Sequence, residues 1–168
     1  MIVAILKRMA WALLLLAIQV LVLDHVHPWG YGAPLVCPII VITLPSGTSR
    51  SAALLWGFGT GFIADIFAGT PGISSAALTF IALLQPPLLE LMAPRDSDEE
   101  LHPSFSTMGR WNYLQFIAML LFLHHIVWFA LEGFSYFFLK DIIISMGISY
   151  VASLLLITLA EHVRDSKK

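Results

Sequence analysis

The length of the uncharged apolar runs restricts this chain more than any other feature. Residues 111–131 hold no Asp, Glu, Lys or Arg, and neither do residues 142–160. At ~1.5 Å per residue, each run is long enough to carry a helix across a hydrocarbon layer of ~30 Å. Four further runs cover residues 9–23, 29–44, 51–68 and 73–92, with Asp65 and Glu90 as their only charges. Apolar residues line these runs all round, so lipid or buried protein must surround them. Charged residues make up 12% of the chain, against ~25% in a soluble domain, and the mean hydropathy is +0.85. A soluble domain, a disordered chain and a nucleic-acid binder driven by positive charge are excluded. A single cysteine, Cys37, excludes an internal disulfide framework and a multi-cysteine metal site.

The expected fold is all-α: one transmembrane domain of six helices. Lys7 and Arg8 resemble the head of a signal peptide, but no small-x-small cleavage site follows, so residues 9–23 are read as a span. The second span is the weakest. Residues 33–44 are apolar but carry Pro34 and Pro38, and extending back to Trp29 gives only sixteen residues. Pro86 and Pro87 should kink the fourth span near its end. With six crossings, Lys7, Arg8, Arg50, Arg95, Arg110, Arg164, Lys167 and Lys168 share one side, and Lys140 alone takes the other. Without the second crossing, the best split is six against three. The positive-inside rule therefore favours six spans, with both termini and residues 93–110 cytoplasmic. That loop reads as a solvated tether or a docking peptide, too short for a domain.

Ala53, Gly57, Gly61, Asp65 and Gly69 recur every four residues, which places them on one helix face. Such a stripe admits a close helix, either from this chain or from another protein. Asp65 lies four residues before Gly69, ~6 Å inside the outer interface. It either accepts N–H groups of the turn Gly69-Thr70-Pro71-Gly72, pairs with a histidine of the fifth span, or couples to protons or ions. As a turn acceptor, it should be replaceable by Asn. His124 and His125 are adjacent and point ~100° apart, so one is expected inside the bundle and one toward lipid or a neighbour. They lack the i, i+4 spacing of metal ligands. The outer surface gathers Asp24, His25, His27, Glu132 and Asp141 around Lys140, which suits a basic partner segment or solvation alone. No nucleophile system or carboxylate pair stands out, and neither an enzyme nor a cofactor is expected.

Read together, several segments carry a resemblance. They are Gly57-Phe58-Gly59-Thr60-Gly61 running to Asp65-Ile66-Phe67, Thr70-Pro71-Gly72-Ile73 with Ser74-Ser75-Ala76-Ala77, and Pro94-Arg95-Asp96. Pro103-Ser104-Phe105-Ser106-Thr107-Met108-Gly109, His124-His125 and Leu131-Glu132-Gly133-Phe134 complete the set. The chain resembles the MreD family of rod shape-determining membrane proteins, in its Bacteroidetes-like form, from about Gln19 to Glu161. The resemblance implies a non-enzymatic inner-membrane scaffold of the bacterial elongation machinery. Such a scaffold binds MreC, which has one transmembrane helix, and links to MreB filaments, RodA and its transpeptidase. It also implies a fold similar to the six-helix substrate-binding subunits of energy-coupling-factor vitamin transporters. A small-molecule-binding subunit of that transporter kind is the alternative function. The candidate partner- or ligand-facing residues are Gly57, Gly61, Asp65, Gly69, Pro71, His124, His125 and Glu132.

Overall fold

The computed structural model describes residues 2–25, 32–93, 101–133 and 139–165. They form seven α-helices: α1 (Ile2–Leu21), α2 (Pro38–Ile42), α3 (Arg50–Ala68), α4 (Ile73–Met92), α5 (Phe105–Met108), α6 (Arg110–Glu132) and α7 (Leu139–Asp165). A 3-10 turn at Leu23–His25 follows α1. Five of the helices are long and apolar enough to cross a membrane, which makes this a helical chain compatible with membrane embedding. His27, residues 94–100 of the expected loop, Phe134 and the last three residues lie outside the described residues.

Where a regular second span was expected, the structure has something else. Residues 32–36 run without helix, and α2 is a single helix of five residues, all buried. Pro38 stands at its first position, where a missing N–H costs nothing. The residues that looked too few for a span form the centre of the bundle, with Val41, Ile42 and Leu44 fully buried. Around them pack Tyr113, Phe116, Ile117, Leu120 and Leu121 of α6, and Leu78 and Ile81 of α4. An element enclosed by protein need not be a lipid-facing helix of full length.

Direction follows from two contacts. The Gln19 side chain, near the C-terminal end of α1, bonds Pro34 and Val36. The Arg8 guanidinium, near its start, donates to the Thr43 carbonyl at 3.4 Å. From 34 to 43 the chain thus returns along α1, over a rise of ~16 Å for the eleven residue steps from Arg8 to Gln19. It reaches the start of α3 beside the start of α1, so α1 and α3 run parallel.

α3 and α4 form a tight hairpin. Gly69 ends α3 at φ 68° and Gly72 precedes α4 at φ 90°, left-handed values that a side chain would strain. α4 continues through Pro86 and Pro87 as helix to Met92. On α7 only Ser149, Ser153, Ile157 and Glu161 are buried, again a spacing of four. Three of these four inward positions are polar.

Part of the expected solvated loop is folded. The Ser46 N–H donates to the Leu101 carbonyl, and the Leu101 N–H donates to Ser46 Oγ, both at 2.9 Å. Ser104 caps α5 reciprocally with Thr107, Met108 is buried, and Phe105 packs edge-on against Tyr113. The hydrophobic residues Leu101, Phe105 and Met108 explain the docking, since each gains by leaving water.

Candidate functional site

Asp65 is buried near the C-terminal end of α3, where its carboxylate gathers five donors. Oδ1 accepts from Thr70 Oγ1 at 3.1 Å and from the Ser74 N–H at 2.8 Å. Oδ2 accepts from the N–H groups of Gly72 at 3.2 Å and Ser75 at 2.9 Å, and from Ser75 Oγ at 2.5 Å. Gly72 is the N-cap of α4 and has no side chain to cap it. Asp65 supplies that function from the neighbouring helix: it takes the second and third N–H groups of α4, and its charge faces the positive end of the helix dipole. The turn-acceptor reading therefore extends one helical turn further than expected. The Trp128 indole donates to Ser74 Oγ at 3.3 Å, which ties α6 to the same corner.

Replacement by Asn does not follow from this geometry. Each carboxylate oxygen faces at least one backbone N–H, so an amide NH2 would oppose a donor whichever way it turned.

The small-residue stripe is occupied. A Cβ on Gly57 would lie 2.7 Å from the Leu78 carbonyl oxygen, and one on Gly61 would lie 2.5 Å from Ser75 Cα. α4 of the same chain fills this face, so no second chain's helix has access to it. Gly69 leaves the stripe to end the helix, and its surroundings are open, while Pro71 is exposed on the turn. Glu132 ends α6 and is exposed.

A second polar cluster holds the irregular segment before α2. Ser149 Oγ donates to the Ala33 carbonyl at 2.5 Å, and Ser153 Oγ accepts from the Leu35 N–H at 2.7 Å. On the other side, Gln19 donates to the Pro34 carbonyl at 3.0 Å and accepts from the Val36 N–H at 2.7 Å. Odd residues face α7 and even residues face α1, as the two-residue period of extended backbone requires. The two serines reach alternate residues because they are four apart on one face of α7. Gln19 also donates to Asp24 at 2.6 Å. At the far end, Gln85 of α4 donates to the Leu44 carbonyl at 2.9 Å.

Both histidines are buried within the bundle, where one had been expected toward lipid or a neighbour. α6 is central, with α4 packed on it as well as α7, so positions ~100° apart both fall inside. His125 Nδ1 donates to the Leu121 carbonyl at 2.8 Å, and its Nε2 lies 3.3 Å from Ser149 Oγ and 3.4 Å from Ser153 Oγ. The serine hydrogens go to the carbonyls of Ala33 and of Ser149 itself. The cluster therefore holds backbone: the shortest contacts of both hydroxyls are to main-chain groups, and those to the imidazole are longer. His124 Nδ1 has no hydrogen-bond partner among the described residues.

At the opposite end, the buried Glu161 accepts from the Tyr113 hydroxyl at 2.8 Å and pairs with Arg164 at 2.7 Å, joining α6 to α7. Ser106 of α5 donates to Asp165 at 3.0 Å. Reading the sequence did not single out Glu161, Gln85, Ser149 or Ser153. The available signal was their isolation as polar residues within or beside apolar runs.

No protein-family model, curated protein or solved structure matches this chain.

Proposed function

We propose that the protein is a non-enzymatic membrane scaffold of the bacterial elongation machinery, as its resemblance to the MreD family implies. In this reading it binds the single-span partner MreC and helps to connect MreB filaments with RodA and its transpeptidase. One observation carries the reading: five polar side chains inside the bundle, Asp65, Gln19, Ser149, Ser153 and Gln85, are directed at backbone groups. Asp65 caps α4, Gln19 and the two serines hold residues 33–36, and Gln85 holds Leu44. In this reading the distinctive motif around Asp65 serves to fix α4 against α3. A transporter's substrate subunit would turn several of these groups toward a common space.

The same reading makes residues 33–44 a sixth crossing, broken in the middle, in a fold similar to the energy-coupling-factor subunits. The return of the chain along α1 and the eight-to-one distribution of Lys and Arg support it. Both termini then lie in the cytoplasm, and the membrane is the bacterial inner membrane.

The test is purification from the native host in mild detergent, with mass spectrometry of the co-purifying chains. The reading expects MreC at near-stoichiometric level. Recovery of transporter ATPase subunits, or of no elongation component, overturns it.

A further inference from the structure

Beyond the scaffold role, a groove at one end of the bundle has a basic layer above an apolar one. It lies between the start of α6 and the end of α7, with Phe105 of α5 in its wall, and encloses about 450 Å³. The basic layer is Arg110, the first residue of α6, and His162 in the last turn of α7. Leu114 follows Arg110 by four residues, and Leu159 precedes His162 by three. The two helices are antiparallel, since Tyr113 bonds Glu161 and His125 lies beside Ser149. Both steps therefore lead away from the bundle end, by ~5–6 Å. The hydroxyl at this depth, on Thr158, already donates to the Leu154 carbonyl at 2.7 Å.

The basic groups belong to the lining itself, and they are uncommitted. Arg110 is exposed and makes no hydrogen bond or ion pair among the described residues. The His162 ring is set by an edge contact with Phe105, which packs edge-on against Tyr113 in turn. The neighbouring carboxylates are engaged elsewhere: Glu161 with Tyr113 and Arg164, and Asp165 with Ser106. Neither lines the groove, so the described lining carries two basic side chains and no acidic one. Trp111, also in the lining, is 69% exposed beside Arg110, a position that suits an indole at a membrane–water interface.

We infer that this groove holds an anionic phospholipid, with its phosphate between Arg110 and His162 and the start of an acyl chain on Leu114 and Leu159. The guanidinium fork matches two phosphate oxygens, and the imidazole offers a ring N–H to a third. Basic pockets between transmembrane helices on the cytoplasmic side suit such headgroups, and the Lys and Arg distribution gives this end to the cytoplasm. An acidic protein segment would match the basic layer alone and leave the apolar layer without a counterpart. The inference rests on the chain being embedded in a membrane and needs no protein partner.

Trp111 supplies the readout. The full-length protein is reconstituted in phosphatidylcholine vesicles containing a minor fraction of phosphatidylglycerol. Bromine is placed near the carbonyl end of the chains of one lipid or the other, and the Trp111 contribution to quenching is taken as wild type minus Trp111→Phe. The expected result is stronger quenching per brominated phosphatidylglycerol, by about fivefold from the Arg110 cation. Arg110→Gln should bring the two lipids close to parity. Arg50→Gln removes the same charge from an exposed position outside the groove and should leave the preference unchanged. Both arginines are exposed, so neither exchange should disturb the fold. Loss of the preference in both variants would mean diffuse attraction to a basic surface and overturns the site, as does equal quenching by the two lipids. Equal quenching together with a shift of Trp111 emission by a poly-glutamate peptide would give the groove to an acidic protein segment instead. Failure of the protein to enter vesicles overturns membrane embedding, and the lipid site with it.

Discussion

At the scale of the residue, Asp65 is the side chain on which most depends. Its two oxygens accept from three backbone N–H groups and two hydroxyls. The hydroxyls can rotate to suit an amide, but the N–H groups cannot. Asp65→Asn should therefore leave a buried N–H facing an NH2 and remove the charge from the α4 terminus. The expected loss is ~1–3 kcal/mol, seen as a lower midpoint of thermal unfolding in detergent. Asp65→Leu removes both acceptors and should fall further. An Asn variant as stable as wild type would contradict the cap. The sequence showed that a carboxylate at this depth needed partners. It did not show how many, because Ser74 and Ser75 reach it only when α4 folds back onto α3.

At the scale of the element, two glycines of α3 give opposite expectations. Gly61 meets α4 backbone at once, whereas Gly59 faces open space. Gly61→Ala should lower stability and membrane abundance, because helix backbone cannot move aside cheaply. Gly59→Ala should raise stability by ~0.5–1 kcal/mol, the usual gain of Ala over Gly inside a helix. Parallel unfolding curves for the two variants are the check, and equal effects would mean the helices are not packed this way. The extended segment before α2 offers a second test. Cys37, the only cysteine, is buried directly after the residues that Gln19 holds. Gln19→Leu strips partners from the Pro34 carbonyl and the Val36 N–H, and the segment should open more often. The rate at which a small permeant maleimide labels Cys37 should rise several-fold, and an unchanged rate would show that Gln19 does not restrain it. The five long helices were legible from apolar length alone, α3, α4 and α6 to within a residue at each end, whereas α1 starts seven residues before its apolar run and α7 ends five residues after its own. Residues 29–44 were not, since apolar length says nothing about whether a segment faces lipid or the bundle centre. The turn at 101–109 was missed for a related reason. Leu101, Phe105 and Met108 are spaced too irregularly to announce a buried face.

At the scale of the whole molecule, topology is what the remaining claims share. Five long helices alone would put the termini on opposite sides; in the proposed reading the broken passage along α1 is a sixth crossing. Arg8 near Thr43 and Gln19 near Pro34 mark its two ends. The sign of the orientation comes from charge: eight of nine Lys and Arg residues share one side when that passage counts as a crossing. Single cysteines test both points in intact cells with a membrane-impermeant thiol reagent, and buried Cys37 should contribute little background. Ser97→Cys and Asp165→Cys should resist labelling until the membrane is permeabilised, while His27→Cys should label at once. If residues 33–44 did not cross, Ser97 and Asp165 would share the side of His27, and all three would label alike. Labelling of Ser97→Cys and Asp165→Cys together with protection of His27→Cys would instead invert the molecule. The positions thus separate a wrong crossing count from a wrong direction, and only protection of 97 and 165 with exposure of 27 agrees with six spans and cytoplasmic termini.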